Sequence, residues 1–314
     1  MRNKKIVITG GAGFIGSNMA NALCDDNEVV ILDDFLTGKM ENIETLIKNE
    51  LVTLVKGSVT EPEQLKRTFE GAEYVFHLAA IPSVAKSIND PALTTEVNLT
   101  GTMNVLIASL ETEVKKVVIA SSASVYGNIS TLPLTEDMRT YPESPYGAQK
   151  LGGEHYCRVF NEIFGIATTS LRYFNVYGPN QDPGSEYSPV IPKFISNIAK
   201  NTPPTIFGHG DQTRDFIFVE DVVHANILAA KNTTSDGKVM NIACGQETSI
   251  NHLASKIVEL MGKEIEPVHA EARDGEILRS LADISKAKHL LKFEPGFSLE
   301  EGLKMTIEHF MGKI

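Results

Sequence analysis

Short runs of aliphatic and β-branched residues recur along the first 175 positions, separated by longer segments whose apolar residues return at helical spacing. The runs predict strands at 5–9, 28–33, 52–56, 73–78, 116–121 and 167–173. The longer segments predict helices near 14–25, 61–70, 91–110 and 145–164. Strands that are apolar on both faces and alternate with helices imply a parallel sheet covered on both sides, so the class is a doubly wound α/β domain. After Gly178-Pro179 the texture changes: a loop-like Asn180-Gln181-Asp182-Pro183-Gly184 is followed by elements broken by Pro189, Pro192, Pro203 and Pro204. Helices are predicted at 220–231, 249–261 and 298–311, with short strands near 204–207, 215–219 and 239–242. This pattern divides the chain into residues 1–178 and a smaller α/β domain at 179–314, with some later segments expected to return to the first domain. No repeat or long linker separates the two, so they are expected to share one cleft.

Composition narrows the partners. The 314 residues are 42% hydrophobic and 22% charged, as in an ordinary globular protein, and the net charge is −11. An acidic chain must hold a phosphate-bearing ligand with locally placed groups, and nucleic acid and anionic membranes are poor partners for it. Cys24, Cys157 and Cys244 are isolated and odd in number, which argues against a disulfide framework or thiolate zinc site and fits a reducing, cytoplasmic setting. The apolar run Ile6-Val7-Ile8 is far too short for a signal peptide or membrane span. The eight histidines show no metal-ligand spacing, and His77 reads as a hydrogen-bonded core residue.

Candidate chemistry begins at Gly10-Gly11-Ala12-Gly13-Phe14-Ile15-Gly16, between the first strand and the first helix. Glycines there permit a tight turn and let backbone approach a pyrophosphate, which then meets the helix N-terminus. Gly10, Gly13, Phe14, Ile15 and Gly16 are the candidate cradle, and Asp33, ending the second strand, is the acid expected on the adenosine ribose. A carboxylate there would repel a 2′-phosphate, so NAD is favoured over NADP in what reads as a Rossmann domain. Asp34 reads as a solvated or capping neighbour.

The fifth strand runs into Ala120-Ser121-Ser122-Ala123-Ser124-Val125-Tyr126-Gly127, hydroxyls clustered where a buried parallel strand ends. Further on, Ser144-Pro145-Tyr146-Gly147-Ala148-Gln149-Lys150 opens a helix with Tyr146 and Lys150 four apart and thus on one face. A phenol is a poor base near neutrality unless positive charge lowers its pKa, which Lys150 and an oxidised nicotinamide would supply. Ser122 would then hydrogen-bond the substrate oxygen that Tyr146 deprotonates, with Ser121 and Ser124 as weaker alternatives and Tyr126 as part of the wall.

On "TGGAGFIGS", "FHLAA", "VNLTGT", "SSASVYG", "SPYGAQK", "RYFNVYGP", "TRDFIFVEDV" and "RDGEILRSLADISKA", the sequence resembles the extended short-chain dehydrogenase/reductase superfamily, and within it the UDP-N-acetylglucosamine and UDP-glucose 4-epimerases. The resemblance covers the whole chain. It implies a closed redox cycle: oxidation of a UDP-hexose at C4 by NAD, rotation of the 4-keto sugar and return of the hydride to the other face. It also implies cofactor contacts at Ser58, Val59, Leu78, Ala79, Ala80 and Asn98 beside Tyr146 and Lys150. Ser58-Val59 replaces the Asp-Ile pair that usually meets adenine. The related 4,6-dehydratases carry Asp-Glu where Ala123-Ser124 stand, and related decarboxylases usually carry Glu in place of Ser124, so elimination is disfavoured.

For the substrate, the resemblance implies diphosphate contacts at Asn175, Arg214 and Arg273, with guanidinium forks suited to phosphate. Phe207 would stack on uracil, Val190 would offer backbone groups to the base, Glu276 would meet the uridine ribose, and Ser83 would line the sugar pocket. Ser280 stands where a bulky residue restricts relatives to UDP-glucose and UDP-galactose, so the N-acetylhexosamines should fit with glucose also accepted. Pro82 and Pro189 depart from the usual glycine and alanine of that branch. The resemblance further implies a homodimer built on the helices near 94–110 and 151–164. The rival readings are an epimerase confined to UDP-glucose, a net nucleotide-sugar oxidoreductase or decarboxylase, and a non-catalytic NAD sensor.

Overall fold

The computed structural model describes residues 1–184, 189–272 and 277–312. Its strands are β1 (Lys5–Thr9), β2 (Glu28–Asp33), β3 (Val52–Lys56), β4 (Tyr74–His77), β5 (Lys116–Ser122), β6 (Ala167–Tyr173), β7 (Asn175–Tyr177), β8 (Thr205–Phe207), β9 (Thr213–Arg214), β10 (Phe216–Phe218), β11 (Lys238–Ile242), β12 (Thr248–Ser249) and β13 (Val268–Ala270). The helices are α1 (Phe14–Leu23), α2 (Pro62–Phe69), α3 (Val84–Asn89), α4 (Pro91–Thr95), α5 (Gly101–Glu111), α6 (Pro145–Phe164), α7 (Val190–Ala199), α8 (Val219–Lys231), α9 (Ile250–Leu260), α10 (Ser285–Leu291) and α11 (Leu299–Met311).

One parallel sheet runs β11-β6-β5-β4-β1-β2-β3. Its strands are apolar on both faces because each face carries its own core: Ile6, Ile8, Val29 and Ile31 pack with α1, α8 and α10, while Val7, Val30, Leu32 and Val117 pack with α2 and α5. The chain builds outward from β1 through β2 to β3, then crosses back to lay β4 on the other side of β1. That reversal opens a crevice at the carboxyl ends of β1 and β4, where α/β sheets bind ligands.

β11 belongs to this sheet, paired in register with β6 from Lys238↔Thr169 to Ile242↔Tyr173, although it lies beyond residue 178. Helices α8 and α10 also pack on this sheet, while the short strands form three two-stranded pairs, β10-β7, β12-β9 and β13-β8, and a separate core gathers Ile195, Phe218, Leu253 and Leu303. Helix α7 was hidden in the sequence by Pro189 and Pro192, yet Pro189 is its N-cap and Pro192 falls in its first turn, where the missing amide costs no hydrogen bond. The helix expected at 91–110 is α4 and α5 joined by a π-helical turn, Glu96–Thr100. None of the helices, among the described residues, is long and apolar enough to cross a membrane.

Candidate active site

The crevice widens into a cleft of about 1030 Å³ that runs from the glycine turn to the short strands of the second core, ample for more than one drug-sized ligand. Gly10 turns the chain with φ +71°, and a Cβ there would stand 2.6 Å from the Ala79 amide nitrogen. At Gly16 a Cβ would run into the Gly10 carbonyl. The start of α1 is thus pressed against the turn, and a phosphate-sized space is left where side chains would otherwise be. Gly10, Gly13, Phe14, Ile15 and Gly16 all line the cleft, as do Leu78, Ala79 and Ala80 after β4.

Asp33 closes this end. Its carboxylate accepts the Ala12 amide (2.9 Å) and the Phe35 amide (2.8 Å), so it braces the glycine turn as well as facing the cleft. Burial raises its pKa, against the pull of those two amides. These features fit a dinucleotide: a backbone cradle that a side chain would fill and a carboxylate one strand away.

The hydroxyl cluster sorts itself by where each proton goes. Ser121 donates to Glu154 Oε1 (2.5 Å), deep in a pair with Arg172, and is consumed by structure. Ser124 donates to Ser122 Oγ (3.0 Å) and sends its amide to the same oxygen (3.1 Å). Ser122 therefore accepts twice and keeps its own proton to give. Helix α6 begins beside it for local reasons: Ser144 caps the helix by accepting the Gly147 amide (3.1 Å), and Pro145 occupies the first turn. The Tyr146 amide donates to Ser87 Oγ (3.1 Å), which fixes this helix start against α3.

Tyr146 and Ser122 both line the cleft. Burial pushes the Tyr146 phenol up to about 12, and its hydrogen bond with Ser122 pulls it back. The lowered pKa expected from the sequence runs the other way in the protein chain itself, because desolvation outweighs that bond. Lys150 stands behind, its Nζ donating to the Ala120 carbonyl (2.9 Å) and lying 5.9 Å from the Tyr146 ring centroid. Burial lowers this ammonium to about 8, so it stays charged near neutrality.

Asn175, Val190, Phe207 and Arg214 also line the cleft. Asn175 Nδ2 donates to the Asp215 carbonyl (3.2 Å), Arg214 Nη1 to the Thr213 carbonyl (2.9 Å), and Val190 is the first residue of α7, where amides have no intrahelical acceptor. Ser83 also lines the cleft, its hydroxyl accepting the Lys86 amide (3.1 Å).

Several residues read from the sequence are not brought to the cleft wall. Asn98 is buried and spends its amide on Ile81 N (2.7 Å), Ile81 O (3.2 Å) and Gln149 Oε1 (2.8 Å), holding the wall from behind. Ser58 accepts from Thr60 Oγ1 (3.1 Å), while its neighbours Gly57 and Val59 line the cleft. Ser280 is buried with its amide on the Thr213 carbonyl (3.2 Å), beside Arg214. Arg273 and Glu276 lie outside the described residues. His77 is a core residue: Thr102 Oγ1 gives its proton to Asn98 O, so His77 Nε2 donates to Thr102 and Nδ1 accepts from Thr9. Burial drives its pKa down to about 3.

The wall also holds groups the sequence did not single out: Lys39, Lys86, Asp182, Lys193 and Gln212. Of these only Lys39 carried a local signal, six residues beyond Asp33.

A glycine turn at a topological switch point, with Ser122 and Tyr146 on the cleft and Lys150 behind them, marks a candidate site for a dinucleotide-dependent enzyme. Residues 6–243 match the model of the NAD dependent epimerase/dehydratase family, and the chain belongs to that family of NAD-dependent nucleotide-sugar enzymes. It is 39% identical over 307 residues to a putative UDP-glucose 4-epimerase of Methanocaldococcus jannaschii, covering 96% of this chain and 97% of that one. Among solved structures it is similar to the UDP-N-acetylglucosamine 4-epimerase of Methanobrevibacter ruminantium in complex with UDP-N-acetylmuramic acid, at 40% identity, a TM-score of 0.96 and full coverage of both chains. The UDP-glucose 4-epimerase of Thermotoga maritima with UDP-glucose follows at 38% identity and a TM-score of 0.92, covering 98% of this chain and 99% of that one.

Proposed function

We propose that this chain inverts C4 of a UDP-hexose, interconverting UDP-N-acetylglucosamine and UDP-N-acetylgalactosamine and also accepting UDP-glucose and UDP-galactose. The observation that carries the reading is the sorting of hydroxyl protons at the end of β5, which leaves Ser122 as the donor facing Tyr146. Ser122 holds the C4 oxygen by donating to it, and Tyr146 removes the hydroxyl proton and later returns it. NAD, which the Gly10–Gly16 turn and Asp33 would hold, would supply a reversible hydride acceptor for C4. Lys150, charged below about pH 8, and the positive charge of the oxidised cofactor both favour the phenolate, which burial alone opposes. Activity should therefore fall as pH rises through about 8, where Lys150 loses its proton.

Asn175 and Arg214 would meet the diphosphate, and Phe207 and the first turn of α7 the uracil. Similarity to a UDP-N-acetylglucosamine 4-epimerase supports the acetylated sugar. The exposed apolar residues Ile107, Tyr156, Ile163 and Phe164 on α5 and α6 support a homodimer through those helices.

Incubating the purified protein with UDP-N-acetylglucosamine and with UDP-glucose, without added NAD, and following C4 by proton NMR tests the reading. Inversion of the acetylated sugar is expected. Tyr146→Phe should lower kcat by roughly 10³ while NAD stays bound, the scale of a lost general acid–base. Net accumulation of NADH with an oxidised sugar would overturn the closed cycle.

A further inference from the structure

Lys86 is the third residue of α3, and its placement is tied to the reacting centre. Its amide donates to Ser83 Oγ, and the next residue, Ser87, accepts the Tyr146 amide (3.1 Å). The Lys86 side chain is half-buried and lines the cleft together with Ser83, Ser122 and Tyr146. The protein carries 40 acidic side chains against 29 basic ones, yet Lys86 makes no ion pair among the described residues. The acid closest to it in sequence, Asp90, is spent capping Leu93 (3.1 Å). A half-buried lysine that lines the cleft next to the residue holding Tyr146, with no counter-charge among the described residues, favours an anion in the ligand.

The diphosphate does not fill that role. On the proposed reading the diphosphate is taken by Asn175 and Arg214 on β7 and β9, whereas Lys86 stands on α3, where the next residue holds the Tyr146 amide and the sugar would bring C4. We infer that Lys86 is a specificity residue for a carboxylate carried on the hexose, so that a UDP-hexose bearing an acid binds in preference to its neutral counterpart. This rests on the reading of the cleft as a UDP-hexose site.

The test is calorimetric binding to the NAD-loaded protein of two pairs of nucleotides. UDP-glucuronate and UDP-glucose differ in a carboxylate at C6, and UDP-N-acetylmuramate and UDP-N-acetylglucosamine differ in one on an ether at O3. In at least one pair the acid should bind roughly tenfold tighter or more, as for one hydrogen bond between charged groups. Lys86→Met should collapse that ratio, and Lys86→Arg should keep most of it. Equal or weaker binding of the acid in both pairs would overturn the inference, and so would a Lys86→Met variant that weakens acid, neutral sugar and UDP alone by the same factor. Because binding needs no turnover, selection without C4 inversion would sink the epimerase reading and leave Lys86 standing; inversion without selection would do the reverse.

Discussion

Two buried carboxylates show how differently the two parts of the molecule are built. Glu154, on α6, takes a two-pronged ion pair from Arg172 on β6 (2.8 and 2.7 Å) and the Ser121 hydroxyl from β5, while the guanidinium lies 4.7 Å from the Tyr126 ring centroid. Asp215, fully buried, is served by backbone: its oxygens accept the amides of Cys244 (2.9 Å), Gly245 (3.0 Å) and Ala282 (3.1 Å). In the sheet, ladders already satisfy the main chain, so one side-chain pair can lock long elements together. Around Asp215 the strands β9 and β10 are only two and three residues long, and the carboxylate collects amides that no ladder pairs.

Removing each carboxylate should separate the two designs. Glu154→Ala strands a buried guanidinium and should cost about 3 to 5 kcal/mol in urea unfolding. A loss below about 1 kcal/mol would mean water reaches Arg172, and the contrast with Asp215 would fail. Asp215→Ala leaves three amides without their acceptor and should cost about 3 kcal/mol at roughly 1 kcal/mol each. It should also lower the affinity for UDP more than that for NAD, because Arg214 precedes Asp215 in the chain and Asn175 donates to the Asp215 carbonyl. Equal losses for both ligands would show that the carboxylate holds the whole fold and not one wall.

The same contrast explains what could be read in the sequence. Gly10, Gly16 and Asp33 were legible because a tight turn before a helix constrains residue type within a few positions, and Tyr146 and Lys150 because helical spacing fixes their shared face. Main-sheet strands declared themselves through runs apolar on both faces. Ser122 was already preferred over Ser121 and Ser124 in the sequence, and what the third dimension adds is that Ser121 spends its proton on Glu154 of another element. Asn98 was drawn toward the cofactor by its motif, whereas its amide is used up on Ile81 and Gln149 behind the wall. Lys86 left no signal at all: a lysine on a helix of six residues reads as solvated until α3 is laid against Tyr146.

Protonation gives a finer probe of Asp215. Burial lifts its pKa to about 6 from an ordinary 3.8, although the backbone amides pull the other way. The folded chain then holds this proton more tightly than the unfolded chain does. The resulting stability is full below about pH 4 and is lost as pH rises through about 6. At about 1.4 kcal/mol per unit the loss is at most about 3 kcal/mol. It should appear as a falling unfolding free energy between pH 4 and 6 in the parent protein relative to Asp215→Asn. Parallel curves for the two proteins would show that the amides, and not burial, set this carboxyl.

The smallest expected effect lies at the mouth of the cleft, where the two parts meet through exposed side chains. Lys39, whose amide donates to the Ala12 carbonyl of the glycine turn (3.0 Å), pairs with Asp182 at 3.0 Å, joining the segment after β2 to the one after β7. Both side chains are well exposed, so the pair is worth at most about 1 kcal/mol and should be screened by salt. Lys39→Ala should therefore speed NAD release by no more than about fivefold at low salt, with the difference gone in about 1 M salt, where the screening length is about 3 Å. Stopped-flow fluorescence of the bound nucleotide reads this directly. A fold stability shared by variant and parent, alongside a salt-sensitive release rate, would place the contribution of Lys39 in closing the cleft. A matching loss in urea would instead make the pair a structural tie of the same kind as Glu154 and Arg172, only weaker.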